Sequence, residues 1–432
     1  MSDWSKQVGT LGDFITFRNG KSSPERDKNG CIDVFGSNGV IGQSDKMNAA
    51  KNSLIIGRVG SYCGSVYFSP EECWVTDNAI VGTSKTLNDA RFWYYKLLSL
   101  ELNNYRTGSG QPLLNQQILN NIDISVPVRD YRIAIAHILG TLDDKIALNS
   151  QINNTLEEMA QAIFKSWFVD FEPVKAKISA NEVGEDPLRA AMRAISGKTD
   201  IELERLPIKA LTQLQATAAL FPEELEESES GELPKGWEVR GLDNVTCYLS
   251  RGISPKYVDS GGVLVLNQKC IRDNIVDSSK ARRHDPDLRK VDGRELLLGD
   301  VLVNSTGVGT LGRVAQVLDL NETTIVDSHV TVVRASESIT WNYLGMELLR
   351  RQSEIEALGE GSTGQTELSR GKLAGLRLLL PPKEILSRFD SLTTPLREQL
   401  ACNLRQNLFY AEIRDTLLPK LLSGELELSL PD

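Results

Sequence analysis

A regular spacing of apolar positions marks one long segment of the chain. These positions recur alternately three and four residues apart, which is the spacing of a coiled-coil seam. They are Ile135, Leu139, Leu142, Ile146, Asn149, Asn153, Leu156, Ala160, Ile163 and Trp167. Two consecutive seam positions hold asparagine, which weakens packing but fixes the register of paired helices. The pattern predicts a long helix that packs against a partner helix.

The same pattern returns near the C-terminus, again with two consecutive asparagines. Its positions are Phe389, Thr393, Leu396, Leu400, Asn403, Asn407, Tyr410, Arg414 and Leu417. Any amphipathic helix has an apolar stripe, but the paired asparagines repeat at a constant offset of 254 residues. We therefore expect the two helices to pack together. In an antiparallel pair Asn149 would face Asn407, and Asn153 would face Asn403, so that the amides bond each other.

Residues 1–130 alternate short apolar runs with Gly, Ser and Asn, a pattern typical of β-strands and turns. The predicted elements are strands at Ser53–Arg58, Gly64–Phe68, Trp74–Thr76 and Ile122–Pro127, with one helix at Asn88–Leu100. The first long helix is expected to begin near Asp130.

From Trp237 the plan of residues 1–130 starts again. The parallel stretches are Leu11–Pro24 with Leu242–Pro255, Ser53–Gly64 with Val301–Gly312, Val75–Ala79 with Ile325–His329, Thr107–Gln111 with Gly361–Gln365, and Ile124–Val128 with Leu378–Pro382. This repetition indicates an internal duplication. The sequence predicts an α+β fold in which two mixed α/β domains are separated by a long antiparallel two-helix coiled coil with pseudo-two-fold symmetry.

The region between the repeats differs in composition. Residues 169–236 carry 8 basic and 14 acidic side chains, and six of the acids lie in Glu223–Glu232. Helices are expected at Pro187–Ser196 and around Ile208–Leu220. We interpret the region as an acidic linker with a helical insert. The predicted boundaries are 1–130, 131–168 (central helix), 169–236 (linker), 237–385, 386–425 (C-terminal helix) and 426–432 (tail).

Composition indicates a chain of two or three ordinary globular domains. Of its 432 residues 41% are hydrophobic and 25% are charged. No apolar run is long enough to span a bilayer, and the N-terminus lacks the features of a signal peptide. The six cysteines are scattered and form no CxxC motif. A cytoplasmic location with reduced thiols is expected.

Net charge and helix length bear on the kind of partner. The net charge is −10, yet residues 1–130 carry 13 basic and 13 acidic side chains, and residues 237–385 carry 19 and 20. The two repeats can therefore present local basic surfaces. A helix from Leu142 to Trp167 would be about 39 Å long, close to one turn of B-DNA at roughly 34–36 Å. Antiparallel helices of this length would place the repeats at opposite ends, as in a molecular ruler.

This order of segments resembles the DNA-specificity subunits of type I restriction-modification systems. The motifs that carry the resemblance are Ile163–Phe171 (IFKSWFVDF), Gly231–Val239 (GELPKGWEV) and Leu417–Leu426 (LLPKLLSGEL). The resemblance implies two target-recognition domains, each reading half of an interrupted, asymmetric sequence in double-stranded DNA. It implies helices that separate these domains and dock two methyltransferase subunits, which in turn recruit the restriction subunits.

The resemblance also implies that this chain is non-catalytic and binds no cofactor. S-adenosylmethionine, ATP and Mg²⁺ are expected on the partner subunits. Gly307–Gly312 matches the dinucleotide fingerprint GxGxxG, but that motif requires a helix to begin there, whereas the following residues alternate like a strand. We predict a glycine hairpin, no catalytic residue and no metal site. Two alternatives remain: a self-contained enzyme that uses the 307–312 loop, or a coiled-coil scaffold without a DNA role.

DNA binding needs cations that contact phosphates and a few side chains that read base edges. The densest cationic run is Lys280–Lys290, and glycine-rich loops add flexible donors in both repeats. The candidate DNA-binding residues are Arg18, Lys21, Arg106, Ser109, Gln111, Arg251, Lys256, Lys280, Arg282, Arg283, Arg289, Lys290, Ser362, Thr363 and Gln365.

Overall fold

The structure is a computed structural model that describes residues 6–27, 29–107, 112–228, 231–360, 366–426 and 428. The chain divides into two compact units. The first consists of Met1–Ser150 with Leu404–Asp432, and the second of Gln151–Asn403. Each unit contains one globular repeat and part of each of the two long helices.

The first unit begins with a mainly β region and continues into a long helix that also enters the second unit. Its elements are β1 (Lys6–Thr10), α1 (Leu11–Phe14), β2 (Ile15–Asn19), β3 (Ile32–Gly36), β4 (Gly39–Ser44), β5 (Ser53–Gly57), β6 (Val66–Ser69), β7 (Trp74–Val75), β8 (Ala79–Ser84), α2 (Ala90–Ser99), α3 (Gln116–Asn120), β9 (Asp123–Pro127) and α4 (Arg129–Phe168). The predicted strands and the helix before Leu100 are confirmed, with ends shifted by one or two residues.

The second unit starts with a helical region. Its helices there are α5 (Glu172–Val183), α6 (Pro187–Ser196), α7 (Asp200–Glu204) and α8 (Ile208–Ala219), followed by a hairpin of β10 (Leu225–Ser228) and β11 (Gly231–Pro234). The two predicted helices are confirmed as α6 and α8. The sequence analysis missed α5, α7 and the hairpin. Ala191, Met192, Leu203 and Ala218 form a small core of their own among these helices.

The rest of the second unit repeats the β-rich plan of the first. Its elements are β12 (Glu238–Gly241), β13 (Thr246–Arg251), β14 (Tyr257–Val258), β15 (Val263–Leu266), β16 (Ile271–Arg272), β17 (Ile275–Val276), β18 (Arg282–His284), β19 (Val301–Asn304), β20 (Val314–Gln316), β21 (Thr324–Val326), β22 (Val330–Ala335), α9 (Trp341–Arg350), α10 (Gln352–Ala357), α11 (Arg370–Ala374), β23 (Arg377–Leu380) and α12 (Lys383–Ser423). The helix α12 continues into the first unit.

Sheet topology confirms the internal duplication. In the first unit an antiparallel sheet has the order β2-β8-β5-β6, and in the second the order is β13-β22-β19-β20. Each unit has a second sheet containing one parallel pair, β3 with β7 and β15 with β21. In each globular repeat the first strand pairs with the last strand, β1 with β9 and β12 with β23. The halves therefore share strand connections that their sequences show only in outline.

One glycine in each unit lies so close to a neighbouring backbone segment that it leaves no room for a side chain. A Cβ on Gly20 would lie 2.0 Å from the carbonyl oxygen of Thr76, and a Cβ on Gly252 would lie 2.0 Å from that of Val326. No real side chain tolerates such a distance, so both positions require glycine. Backbone hydrogen bonds align the two glycines, because the Gly20 N–H donates to the Ala79 carbonyl and the Gly252 N–H donates to the Val330 carbonyl. Gly20 therefore corresponds to Gly252, and Asn19 corresponds to Arg251.

In the first unit α4 and α12 pack antiparallel. The Arg414 guanidinium donates from Nη1 to Asp143 Oδ1 at 2.8 Å. Further along α4, Asn149 Nδ2 donates to Asn407 Oδ1 at 3.0 Å. The partner numbers fall along α12 as they rise along α4, which defines the antiparallel direction.

The same two helices pack antiparallel in the second unit. Asn403 Nδ2 donates to Asn153 Oδ1 at 2.8 Å, and Arg397 Nη1 donates to Glu157 Oε2 at 3.1 Å. Asn153 is 8% exposed and Asn403 is 2% exposed. The seam asparagines therefore pair as the sequence pattern predicts, and the second pair is buried.

Candidate nucleic-acid interface

In the first unit several backbone segments meet where β5 ends and β8 begins. Gly57 at the end of β5 pairs with Ala79 at the start of β8. The next residue, Arg58, donates its N–H to the Asn78 carbonyl at 2.9 Å, and Gly20 donates its N–H to the Ala79 carbonyl at 3.0 Å. Hydrogen bonds of this length hold the loops after β2, β5 and β7 at one edge of the unit.

A fourth segment joins this edge from the region before α3. Leu113 bridges Val59, and the Leu114 N–H donates to the Arg58 carbonyl at 3.0 Å. We call the segments 20–21, 58–60, 76–79 and 113–114 the strand-end edge of the first unit. Loops that a rigid sheet brings together in this way are common positions for binding residues.

The second unit has an equivalent edge. Gly252 donates its N–H to the Val330 carbonyl at 3.1 Å, and Ser305 donates its N–H to the His329 carbonyl at 2.8 Å. The Leu368 N–H donates to the Ser305 carbonyl at 2.8 Å. Segments 252–253, 305–307, 327–330 and 367–368 form the strand-end edge of the second unit. The two edges are thus built by matching hydrogen bonds on matching strands.

The predicted cations of the first unit differ in solvent exposure and in their hydrogen bonds within the chain. Lys21 lies at the strand-end edge and is exposed, and Arg106 is exposed just before Thr107, which bridges Leu113. Arg18 is partly buried and donates from Nη2 to the Asn48 carbonyl. The candidates Ser109 and Gln111 lie outside the described residues, as do Ser362, Thr363 and Gln365 in the other half.

In the second unit Arg251 is held by neighbours within the chain. Its Nη1 donates to Glu367 Oε1 at 2.5 Å, and its Nη2 donates to the Leu368 carbonyl at 2.8 Å. These contacts fix the guanidinium against the strand-end edge and neutralise part of its charge. Lys256 is exposed, and its backbone N–H donates to His284 Nδ1 at 2.9 Å.

The cationic run Lys280–Lys290 contains a strand, β18. Strand β18 pairs with β14 and β15. Within it Arg283 forms a bidentate ion pair with Glu322, and the Arg282 guanidinium lies 3.4 Å from the centroid of the Tyr257 ring. The Arg282 contact is a cation–π interaction.

The buried His284 connects this run to the loop that carries Lys256. Its Nδ1 accepts the Lys256 N–H, and its Nε2 lies 2.7 Å from the Arg289 carbonyl, which makes Nε2 the protonated nitrogen. Arg289 Nη1 also donates to the Ser254 carbonyl at 3.2 Å. Lys280 and Lys290 are exposed. The run therefore combines internally bonded arginines with lysines that face solvent.

Three residues at the strand-end edges were missed by the sequence analysis. Arg58 is partly buried at the first edge, where the sequence marks it only as the end of a strand. At the second edge Thr306 Oγ1 lies 2.7 Å from His329 Nδ1. These positions can be recognised as part of matching edges only when the two halves are aligned by strand register.

Electrostatics at the second edge include a buried carboxyl. Burial raises the pKa of Asp327 above its ordinary value, although the His329 N–H donates to its Oδ1 at 2.9 Å. Asp327 occupies the position that Thr76 has in the first unit, since each accepts from the residue three positions later. The two edges therefore have similar backbones but different polar side chains.

The loop Gly307–Gly312 follows β19 as a turn and leads to β20, so the predicted glycine hairpin is confirmed. A dinucleotide-binding loop needs a helix N-terminus at this point. In the described part of the chain no three His, Cys, Asp or Glu side chains are grouped so that they could hold a metal ion. Nor does any helix among the described residues have the length and apolar character needed to cross a bilayer.

Comparison with known proteins finds similar sequences. Residues 1–158 match the family model of the type I restriction modification DNA specificity domain. The chain is 29% identical over 335 residues to the type I restriction enzyme HindI specificity subunit of Haemophilus influenzae, across 73% of this chain and 71% of that protein. It is 24% identical over 344 residues to the MjaIX specificity subunit of Methanocaldococcus jannaschii, across 78% and 69%.

The fold agrees with these matches. The crystal structure of a type I restriction-modification system S subunit from M. genitalium superposes with a TM-score of 0.60 at 14% identity, covering 99% of this chain and 98% of that one. Residues 1–158 are thus similar to a DNA specificity domain, and the fold of the chain is similar to that of an S subunit. The narrower resemblance found in the sequence, to type I restriction-modification specificity subunits, is confirmed by these relatives.

Proposed function

We propose that this chain is the sequence-specific DNA-recognition subunit of a type I restriction-modification complex. The observation that carries the proposal is the duplication. The domain matched to DNA specificity covers the strand-end edge of the first unit, and the second unit rebuilds that edge from equivalent strands. Two such edges with different side chains suit a target with two unlike halves.

We further propose a division of labour along the chain. Residues 1–130 and 237–385 each read one half of an interrupted target in double-stranded DNA. The helices α4 and α12 set the distance between the halves and dock two methyltransferase subunits, through which restriction subunits join the complex. Methylation and cleavage, with S-adenosylmethionine, ATP and Mg²⁺, are assigned to those partners. The cytoplasmic location expected from the sequence stays a prediction.

The alternatives have less support. An enzyme built on the 307–312 loop would need a helix where the structure has a turn followed by β20. A scaffold without a DNA role gives no reason for two matching edges that carry different polar side chains.

The test is DNA binding by the chain together with its methyltransferase partner. We expect preferential binding to one interrupted sequence, with affinity falling steeply as salt rises because phosphate contacts release counterions. Titration of labelled duplexes at several salt concentrations measures this, and mapping of modified bases in the host genome identifies the target. Binding that is absent, or equal for all sequences, would refute the proposal.

A further inference from the structure

Arg58 stands at the centre of the first strand-end edge. Its N–H donates to the Asn78 carbonyl, and its own carbonyl accepts from the Leu114 N–H at 3.0 Å. It directly follows β5, in which all five residues are buried. The backbone of Arg58 is therefore fixed by a core strand and by two neighbouring segments.

Among the residues that the structure describes, none forms an ion pair with the Arg58 side chain. Its Nε is buried without a hydrogen bond, and no carboxylate among the described residues pairs with the guanidinium. By contrast Arg91, Arg132 and Arg414 of the same unit each bind an aspartate. Ion pairing is the usual arrangement for a partly buried arginine, since an unpaired buried donor costs stability. Folding alone gives no reason for arginine at this position.

The equivalent position in the second unit holds a small residue. That residue is Ser305, which directly follows β19 as Arg58 directly follows β5. The Ser305 carbonyl accepts from the Leu368 N–H, just as the Arg58 carbonyl accepts from the Leu114 N–H. The Ser305 side chain is buried and lies 2.5 Å from Thr331 Oγ1. Phosphate contacts are needed equally by both halves of a target, whereas base contacts must differ between unlike halves. A cation that occupies this position in only one of the two matching edges suits base readout.

We propose that Arg58 is a specificity-determining residue that reads a guanine in the half of the target bound by residues 1–130. The planar guanidinium donates two parallel hydrogen bonds to O6 and N7 of guanine in the major groove. This inference rests on the proposed function and assigns one base contact within it.

The experiment compares the wild-type complex with the Arg58→Ala and Arg58→Lys variants, each assembled with the methyltransferase partner. Binding is measured on the target and on duplexes substituted at each base pair in turn. A bidentate contact contributes about 1–3 kcal/mol, so Arg58→Ala should lose about 5- to 150-fold of discrimination at a single G·C pair in one half. Lysine keeps the charge but lacks the fork, so Arg58→Lys should also relax that position.

Lys85→Ala is the matched control, because it also removes one positive charge. Lys85 follows the opposite end of β8 and donates from Nζ to the Gly12 carbonyl. This variant should keep all base preferences. The unfolding midpoint of each variant shows whether it is folded. If Arg58→Ala does not fold, the comparison of Arg58→Lys with the wild type tests the proposal.

Two results would overturn the assignment of Arg58. One is unchanged discrimination at every position in both variants. The other is an affinity loss of equal size on all duplexes, with Arg58→Lys restoring binding, which would identify a phosphate contact. Failure of the proposed function is a separate result, in which the wild-type complex itself shows no preferred sequence.

Discussion

At the scale of single residues, the pairing of Asn153 with Asn403 is a specific polar contact inside an apolar seam. The two side chains bond each other at 2.8 Å, and Asn153 Nδ2 also lies 3.5 Å from the Leu400 carbonyl. Their burial makes the pair costly to break, since a lone buried amide keeps unsatisfied donors and acceptors. Buried asparagines of this kind favour one register over slipped alternatives.

Replacing one member of this pair should therefore destabilise the second unit. We expect Asn403→Ala to lower the free energy of unfolding by about 1–3 kcal/mol, mainly because the Asn153 amide loses its partner. The double variant Asn153→Leu with Asn403→Leu should recover much of this loss by apolar packing. Denaturant titration measures both effects.

The pair Asn149 and Asn407 provides the comparison, because both side chains are partly exposed and water can replace the lost bond. Asn407→Ala should cost less than Asn403→Ala. Equal costs for the two single variants would show that burial does not govern the effect.

At the scale of elements, the two long helices are the spacer in the proposed function. Adding one heptad to each helix keeps the seam in phase and lengthens the pair by about 10.5 Å. The distance per base pair is roughly 3.4 Å. If the helices set the spacing as proposed, an insertion in both of them changes the DNA target by a defined length.

We predict that a heptad inserted at equivalent points of α4 and α12 increases the unread gap of the target by about three base pairs. Mapping of modified bases in cells that carry the altered complex measures the gap. A heptad in one helix alone should abolish specific binding, since the seams no longer match. An unaltered gap with both insertions would mean that the helices do not set the distance.

The long helices, four strands of the first unit and the duplication were predictable from the sequence because spacing and repetition encode them directly. Helix α6 carries its own signals, with Asp186 accepting from the Leu188 N–H and proline at the first helical position. The β10–β11 hairpin was missed because an acidic, Ser-rich composition suggests a linker, while its register depends on contacts such as Lys235 with Glu224.

The site was less predictable, because strand register decides which face a residue occupies. Strand register aligns Arg251 with Asn19, which the parallel between Leu11–Pro24 and Leu242–Pro255 does not show. Arg58 ends an apolar strand in the sequence and gives no local sign of a ligand. The structure is needed to show that no carboxylate in the described part of the chain pairs with its guanidinium.

At the scale of the whole molecule, the proposed function and the duplication together predict two recognition domains that read DNA independently. Each repeat has its own sheets and its own strand-end edge. Side chains on one edge can therefore change without altering the backbone of the other.

Replacing residues 237–385 with those of a relative should change one half of the recognised sequence and leave the other half unchanged. Modified-base mapping of the exchanged and the parental complex provides the comparison. The reciprocal exchange of residues 1–130 should affect only the opposite half. A change in both halves after either exchange would contradict independent reading.

The division of the chain also bears on its synthesis. The first unit needs the segment after Leu404, and Leu421 from that segment is buried in the core of the first unit. The ribosome makes residues 151–403, which are continuous in sequence, before it makes that segment. During translation the second unit can therefore fold first, whereas the core of the first unit is completed only after the final helix has been made.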